Sequence, residues 1–173
     1  MRLSIRQATS EDTNAVADIL REAAAWLEER GVPQWRQDEL QHNRIVAEVD
    51  SGQFFLAECD SVPAGTVKFQ LEDRLFWPDV PQDDSAFIHR LAVKRRFAGG
   101  EISSALILWA IARTHAVGRR YLRLDCEASR VRLRAVYERL GFRFHSDRQV
   151  GPYFVARYDY DVKEISRGTS KPK

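Results

Sequence analysis

The sequence predicts a mixed α/β fold: one domain built on a twisted mixed β-sheet with helices on both faces. Three observations predict it. The 173 residues are 44% hydrophobic and 30% charged, enough apolar material for one core without disulfide staples. Through the second half, strand-like and helix-like periods alternate, which requires a parallel strand pair joined by a crossover helix. Around Asp60-Ser61, two strand-like runs flank a two-residue turn, so their strands are antiparallel neighbours.

The elements follow in order. Leu3–Gln7 alternates like a strand. Thr9-Ser10-Glu11-Asp12 places a capping hydroxyl before acids, the chemistry of a helix N-terminus. Val16, Ile19, Leu20, Ala23, Trp26 and Leu27 then recur on one helical face, and Gly31-Val32-Pro33 ends the helix. Leu40, Ile45, Val46 and Val49 predict a second helix over Glu39–Val49. Gln53–Cys59 and Gly65–Leu71 form the hairpin, and Phe76–Asp84 is a proline-broken loop. Ala86–Val93 is a strand, Lys94–Gly100 a basic loop, and Ile102 to about Gly118 a third helix. Tyr121–Asp125 is a strand, and Ser129–Leu140 is a helix stopped by Gly141. Phe142–His145 and Tyr153–Tyr160 are the last strands. The domain spans residues 1–162, and 163–173, rich in Lys, Ser, Gly and Pro, reads as a flexible tail.

Composition excludes several classes. Lys plus Arg is 27 and Asp plus Glu 25, a net charge of +2, which does not favour a nucleic-acid partner. The two cysteines, Cys59 and Cys126, are too few for a disulfide scaffold or a four-cysteine zinc site and read as buried thiols of a reducing compartment. His42, His115 and His145 show no ligand spacing, so no metal is expected. No apolar run reaches the roughly 20 residues of a membrane span, and the opening Met1–Arg6 lacks the apolar stretch of a signal peptide. The expected location is the cytoplasm, with no membrane partner.

The most informative segment runs from Ile88 to Leu106, a strand entering a basic, glycine-containing loop and then a helix start. Helix N-termini expose unpaired N–H groups and partial positive charge, which suits phosphate. Gly99 and Gly100 let backbone approach a ligand closely, and Lys94, Arg95 and Arg96 add charge. The Gly-Lys-Ser/Thr ending of a Walker loop and the three-glycine dinucleotide spacing are both absent. A plain strand-to-helix turn and a phosphate site are both consistent with this loop taken alone. A second segment, Leu122–Phe142, is a strand, a short turn and an amphipathic helix closing on Tyr137-Glu138-Arg139-Leu140-Gly141-Phe142.

Together, and in this order, the two segments resemble the GNAT superfamily of acyl-CoA-dependent N-acyltransferases. His89-Arg90-Leu91-Ala92-Val93 looks like that family's central strand, and Tyr137–Phe142 looks like its late Tyr-Glu-x-x-Gly-Phe signature. The resemblance covers nearly the whole chain. It implies two splayed central parallel strands and acetyl-CoA as co-substrate. Pantetheine would lie along Leu91, Ala92 and Val93, and pyrophosphate on Ala98, Gly99, Gly100, Glu101, Ile102, Ser103 and Ser104. Tyr137 would protonate the leaving thiolate while an amine attacks the thioester directly. Arg134 would be the best candidate for the cofactor's ribose phosphate. The family also pairs through its late strands, so a homodimer is compatible with the resemblance.

The chain departs from the family pattern in three places. Ala98 and Ser103 are small replacements in the loop, whereas Glu101 replaces a glycine and sets a carboxylate beside the expected pyrophosphate. Arg130 stands where an asparagine is common, either contacting phosphate or capping the strand end. No carboxylate lies between Asp84 and Glu101, where the family often carries its glutamate base. His89 is the candidate base because an imidazole accepts protons near neutral pH; a structural histidine and a water relay are the alternatives. The expected activity is acetyl transfer to a primary amine. Small amines, amino acids, aminoglycoside-like compounds, a peptide N-terminus and aminoacyl-tRNA are all chemically open. The rival readings are a non-catalytic acyl-CoA-binding or regulatory domain and an RNA-directed acyltransferase.

Overall fold

The computed structural model describes residues 2–163; the expected tail falls almost wholly on 164–173, outside the described residues. Seven strands are ordered β1-β2-β3-β4-β5-β7-β6 in one mixed sheet. The chain divides into two compact units, residues 2–69 with 90–107, and residues 70–89 with 108–163. Both β4 (Ser85–Val93) and α3 (Ile102–Ala116) contribute to each.

In the first unit, β1 (Leu3–Gln7) pairs antiparallel with β2 (Phe54–Cys59), which pairs antiparallel with β3 (Val62–Gln70). Asp60 and Ser61 both have positive φ (49° and 65°), as a two-residue turn matched to strand twist demands. β3 begins three residues earlier than expected. Pro63 sits opposite Glu58 where the register shifts by a bulge, a place where a missing N–H is tolerated. Helix α1 (Thr13–Glu28) follows a 3-10 turn over Ser10–Asp12, closed by Thr9 N–H donating to the Asp12 carboxylate at 2.8 Å. Its apolar stripe Val16, Ile19 and Leu20 is fully buried with Ile45, Val49, Phe54 and Leu56, and Trp35 packs against this core.

The expected second helix is broken in two. Gln37–Leu40 is a 3-10 turn, Gln41 is extended (ψ 141°), and α2 covers His42–Asp50. The Glu39 carboxylate accepts the Arg36 N–H at 2.9 Å, closing the first turn on itself.

Gly65 is the glycine of this unit packed most closely against backbone. A Cβ there would stand 3.0 Å from the Ala92 carbonyl, 3.0 Å from Ile102 Cγ2 and 3.2 Å from Leu106 Cδ1. Gly65→Ala is expected to destabilise by about 1–3 kcal/mol, since backbone and two buried side chains must move; a fall in the urea midpoint at constant m-value checks it.

In the second unit, β4 pairs parallel with β5 (Tyr121–Glu127) from Ser85–Tyr121 to Phe87–Arg123, and both strands then continue past this register. β5 pairs antiparallel with β7 (Tyr153–Asp161), and β7 with β6 (Arg143–Val150). β5 is two residues longer than expected, so Cys126 lies within the strand rather than after it. Helix α4 (Val131–Arg139) starts two residues late: Ser129 is held by the Glu127 carboxylate, through its N–H at 3.0 Å and its hydroxyl, and Arg130 sits at non-helical ψ 66°. β6 runs five residues beyond His145. It is a polar, largely exposed edge strand, whose pattern lacks the apolar alternation that marks half-buried strands. Among the described residues, no helix is long and apolar enough to cross a membrane.

Candidate active site

In the second unit, alternation along the strands creates one polar face that is nevertheless covered. On β5, Leu122, Leu124 and Cys126 are buried on one side, while Arg123, Asp125 and Glu127 share the other. Cross-strand register sets Arg123 opposite Asp159 and Asp125 opposite Arg157 on β7. The first pair closes as an ion pair at 3.2 Å. The second does not, because Arg157 is spent elsewhere. Its guanidinium takes Asp79 in a fork at 2.6 and 2.9 Å, the Phe76 carbonyl at 3.0 Å, and Ser146 Oγ at 2.7 and 3.0 Å. These bonds fasten the loop between β3 and β4 over the sheet.

That loop buries Trp77 completely, with the Arg157 guanidinium 4.6 Å from its ring centroid and Phe87 and His145 beside it. The same loop delivers Asp73. Its Oδ1 accepts the N–H groups of Phe76 and Leu75 at 2.9 and 3.1 Å, and its Oδ2 meets His89 Nε2 at 2.7 Å. On the other side of the ring, His89 Nδ1 lies 3.7 Å from Asp125 Oδ2, which has no hydrogen-bond partner among the described residues. Phe76 stacks at 5.5 Å from the imidazole.

The two carboxylates differ in environment. Burial acts to raise Asp73, but the His89 hydrogen bond and charge, with the Phe76 and Leu75 N–H groups, outweigh it and hold the group below its ordinary value. Asp125 lacks backbone donors of that kind, and burial pushes it up to about 6, against the attraction of His89 and the Trp77 indole. Two carboxyls driven apart around one imidazole is the arrangement expected of proton-transfer chemistry. The three donor atoms lie within 4.8 Å of one another, a grouping that the scattered His42, His115 and His145 did not suggest. The 2.7 Å contact is an ionic hydrogen bond, whereas two tetrahedral ligands on one ion stand about 3.3 Å apart.

Tyr137, on α4, is buried among the rings of Phe142 and Tyr158. Burial, reinforced by Cys126, drives its hydroxyl well above the usual phenol range, so it remains a proton donor at neutral pH. Cys126 itself is buried and pushed up to about 11, chiefly by burial, which makes it a poor nucleophile. Arg134 donates to Tyr158 Oη at 2.9 Å and to the Ala128 carbonyl at 3.0 Å, fastening the start of α4 to β7. Arg130 occupies the N-cap of α4, where its N–H donates to the Glu127 carbonyl at 3.1 Å.

In the first unit, the loop leaves β4 through a 3-10 turn over Arg95–Phe97 and enters α3. The first helical bond runs from the Ala105 N–H to the Glu101 carbonyl at 2.8 Å, so the N–H groups of Ile102, Ser103 and Ser104 precede the intrahelical ladder. Gly99 has φ +80° with open space where a Cβ would stand, a backbone surface that a diphosphate can approach. Glu101 is exposed at the helix cap. Arg95 lies over the Trp26 ring at 3.8 Å, so part of the loop's charge is stacked on α1. Leu91 to Val93 complete β4 just after Arg90, whose φ of +52° is a strained value for a side chain of this size. Glu48 holds the Arg90 guanidinium at 2.9 Å.

Sequence reasoning missed Asp73 and Asp125. Asp73 is 16 residues from His89 within an irregular loop, and no local spacing announces it. Asp125 had one legible signal, its place on the same strand face as Arg123.

The profile of the acetyltransferase (GNAT) family matches residues 14–142. The uncharacterized N-acetyltransferase YesJ of Bacillus subtilis (strain 168) is 32% identical over 146 residues, 79% of each chain. Among solved structures, a GNAT-family acetyltransferase from Listeria monocytogenes 4b F2365 is similar with a TM-score of 0.77 at 23% identity, over 92% of this chain and 94% of its own. The PaiA N-acetyltransferase of Thermoplasma acidophilum, in complex with coenzyme A, is similar with a TM-score of 0.74 at 20% identity, over 92% and 100%.

Proposed function

The chain belongs to the GNAT acetyltransferase family, and from that membership we propose that it moves an acetyl group from acetyl-CoA to a primary amine by direct attack. The observation that carries this reading is the strand–glycine loop–helix passage from Leu91 to Ser104, with its open backbone at Gly99. The coenzyme A bound to the similar PaiA structure supports it. Pantetheine is assigned to the backbone of Leu91, Ala92 and Val93, and pyrophosphate to that of Ala98 through Ser104.

Acetyl-CoA supplies an activated thioester, whose carbonyl forms a C–N bond with the amine as the C–S bond breaks. His89 takes the proton that the attacking nitrogen must lose. Tyr137 gives its phenolic proton to the departing sulfur, and its buried hydroxyl is well suited to hold that proton until then. Arg134 and Arg130 stand at the start of α4. Because Arg134 is already bonded within the protein, its assigned contact to the ribose phosphate requires that it keep or exchange the Tyr158 bond.

Isothermal titration with CoA, followed by acetylation of a panel of primary amines, tests the reading. Micromolar-range binding and turnover with at least one amine support it; loss of neither on shielding the loop backbone with Gly99→Val overturns the placement. Glu101→Gly is expected to tighten CoA binding by about threefold, because a like charge leaves the vicinity of the diphosphate. An unchanged dissociation constant would mean that the exposed carboxylate already points away.

A further inference from the structure

We propose that Asp73 and Asp125 are positioning residues that couple His89 to two carboxylates, Asp73 fixing the ring proton on Nε2 and Asp125 stabilising the proton that Nδ1 accepts. The inference rests on the reading of His89 as the base and adds the groups that make it one.

The geometry leads there in three steps. The 2.7 Å contact to Asp73, whose other oxygen is pinned by two backbone N–H groups, leaves the carboxylate one orientation and makes Nε2 the donor. Nδ1 therefore carries the lone pair, and it faces Asp125 at 3.7 Å. The Asp125 Oδ2 that faces it has no hydrogen-bond partner among the described residues: its cross-strand neighbour Arg157 is committed to Asp79, Phe76 and Ser146, and His89 is the cation in reach. The side chains of Asp73 and Asp125 are 6% and 8% exposed and that of His89 18%, so protons enter and leave through the histidine.

The proton balance is simple. As the neutral amine attacks, an N–H bond of its nitrogen breaks with the electron pair left on nitrogen, and an Nδ1–H bond forms. The resulting imidazolium is bracketed by a carboxylate on each ring nitrogen, which a neutral ring does not need. The Arg157 charge on β7 favours ionised Asp125, as does the Trp77 indole, while ionised Asp73 opposes it. Asp125 in turn favours the protonated forms of Cys126 and Tyr137. Coupled groups of this kind titrate as one unit.

The test follows the ring directly. Long-range ¹H–¹⁵N spectra resolve the imidazoles of the full chain, with His89→Gln identifying the His89 signals. The native neutral ring is expected as the Nε2–H tautomer. Asp125→Asn, isosteric and free of the buried charge, is expected to lower the His89 midpoint by about one pH unit or more. Asp73→Asn is expected to lower it as well and to abolish the tautomer preference. Circular dichroism confirms that each variant is folded. In acetylation of the amine panel, the rising limb of kcat/KM against pH moves down with the midpoint in Asp125→Asn, and the plateau falls. A His89 midpoint unchanged in Asp125→Asn, or an Nδ1–H tautomer in the native protein, overturns the inference. A shifted midpoint together with native turnover in His89→Gln overturns the base reading instead, and leaves the carboxylate coupling in place.

Discussion

Tyr137→Phe lowers turnover by about 10²–10⁴-fold and leaves CoA affinity nearly unchanged. The substitution keeps the ring, and the ring is what the fold uses: it is buried and packed against Phe142 and Tyr158. What disappears is the hydroxyl proton. Burial holds that proton on the phenol far above neutral pH, so native enzyme is fully in the donating form under assay conditions. In the proposed mechanism the proton moves only as the C–S bond breaks, so the loss falls on kcat rather than on binding. Stopped assays across pH with an accepted amine, beside a CoA titration of the same variant, check both halves. Native turnover in Tyr137→Phe would return the residue to a purely packing role.

Arg157→Leu destabilises the protein by about 2–4 kcal/mol, the largest stability effect expected outside the apolar cores. One guanidinium, 3% exposed in its side chain, serves two side chains and a backbone carbonyl that lie far apart in sequence. Leucine keeps the bulk but leaves the Phe76 carbonyl without this donor and Ser146 Oγ with only its His145 contact. Asp79→Asn should cost clearly less, because the Asp79 side chain is 46% exposed and water can replace its partner. The Asp79 carboxyl is held well below its ordinary value, chiefly by the Arg157 hydrogen bond. Its contribution is therefore present above the usual carboxylate pKa and fades as pH falls toward the depressed value. Urea midpoints of the two variants at pH 7 and at pH 4 check the ranking. Since the same loop carries Asp73, Arg157→Leu should also slow acetylation, an effect that Asp79→Asn shows only weakly.

Much of this protein is written locally. The stripe Val16, Ile19, Leu20 predicted α1 because burial of one helical face is a property of spacing alone. Asp60-Ser61 predicted the hairpin, and Gly99-Gly100 before Ile102 predicted the loop and helix start, because turns and helix ends are decided within a few residues. The order of strands and helices, with the Tyr137–Phe142 signature, carried the family. Where local signals competed, the expected boundaries slipped: Gln41 interrupts one helix and Glu127 delays another by capturing Ser129. Strand β6 was expected only as far as His145, because an exposed edge needs no apolar alternation.

The surroundings of His89 were decided by tertiary structure alone. The sequence singled out the histidine on its strand but gave no sign of which groups would face its two nitrogens. Asp125 reaches it from β5, next to β4 in the sheet, and Asp73 from a loop that is irregular throughout. The loop that carries Asp73 is held by Arg157, 78 residues from Asp79, which grips that loop instead of its own cross-strand neighbour Asp125. A hydrogen-bond partner is chosen by distance in space, and distance in space between such residues exists only once the sheet has been assembled.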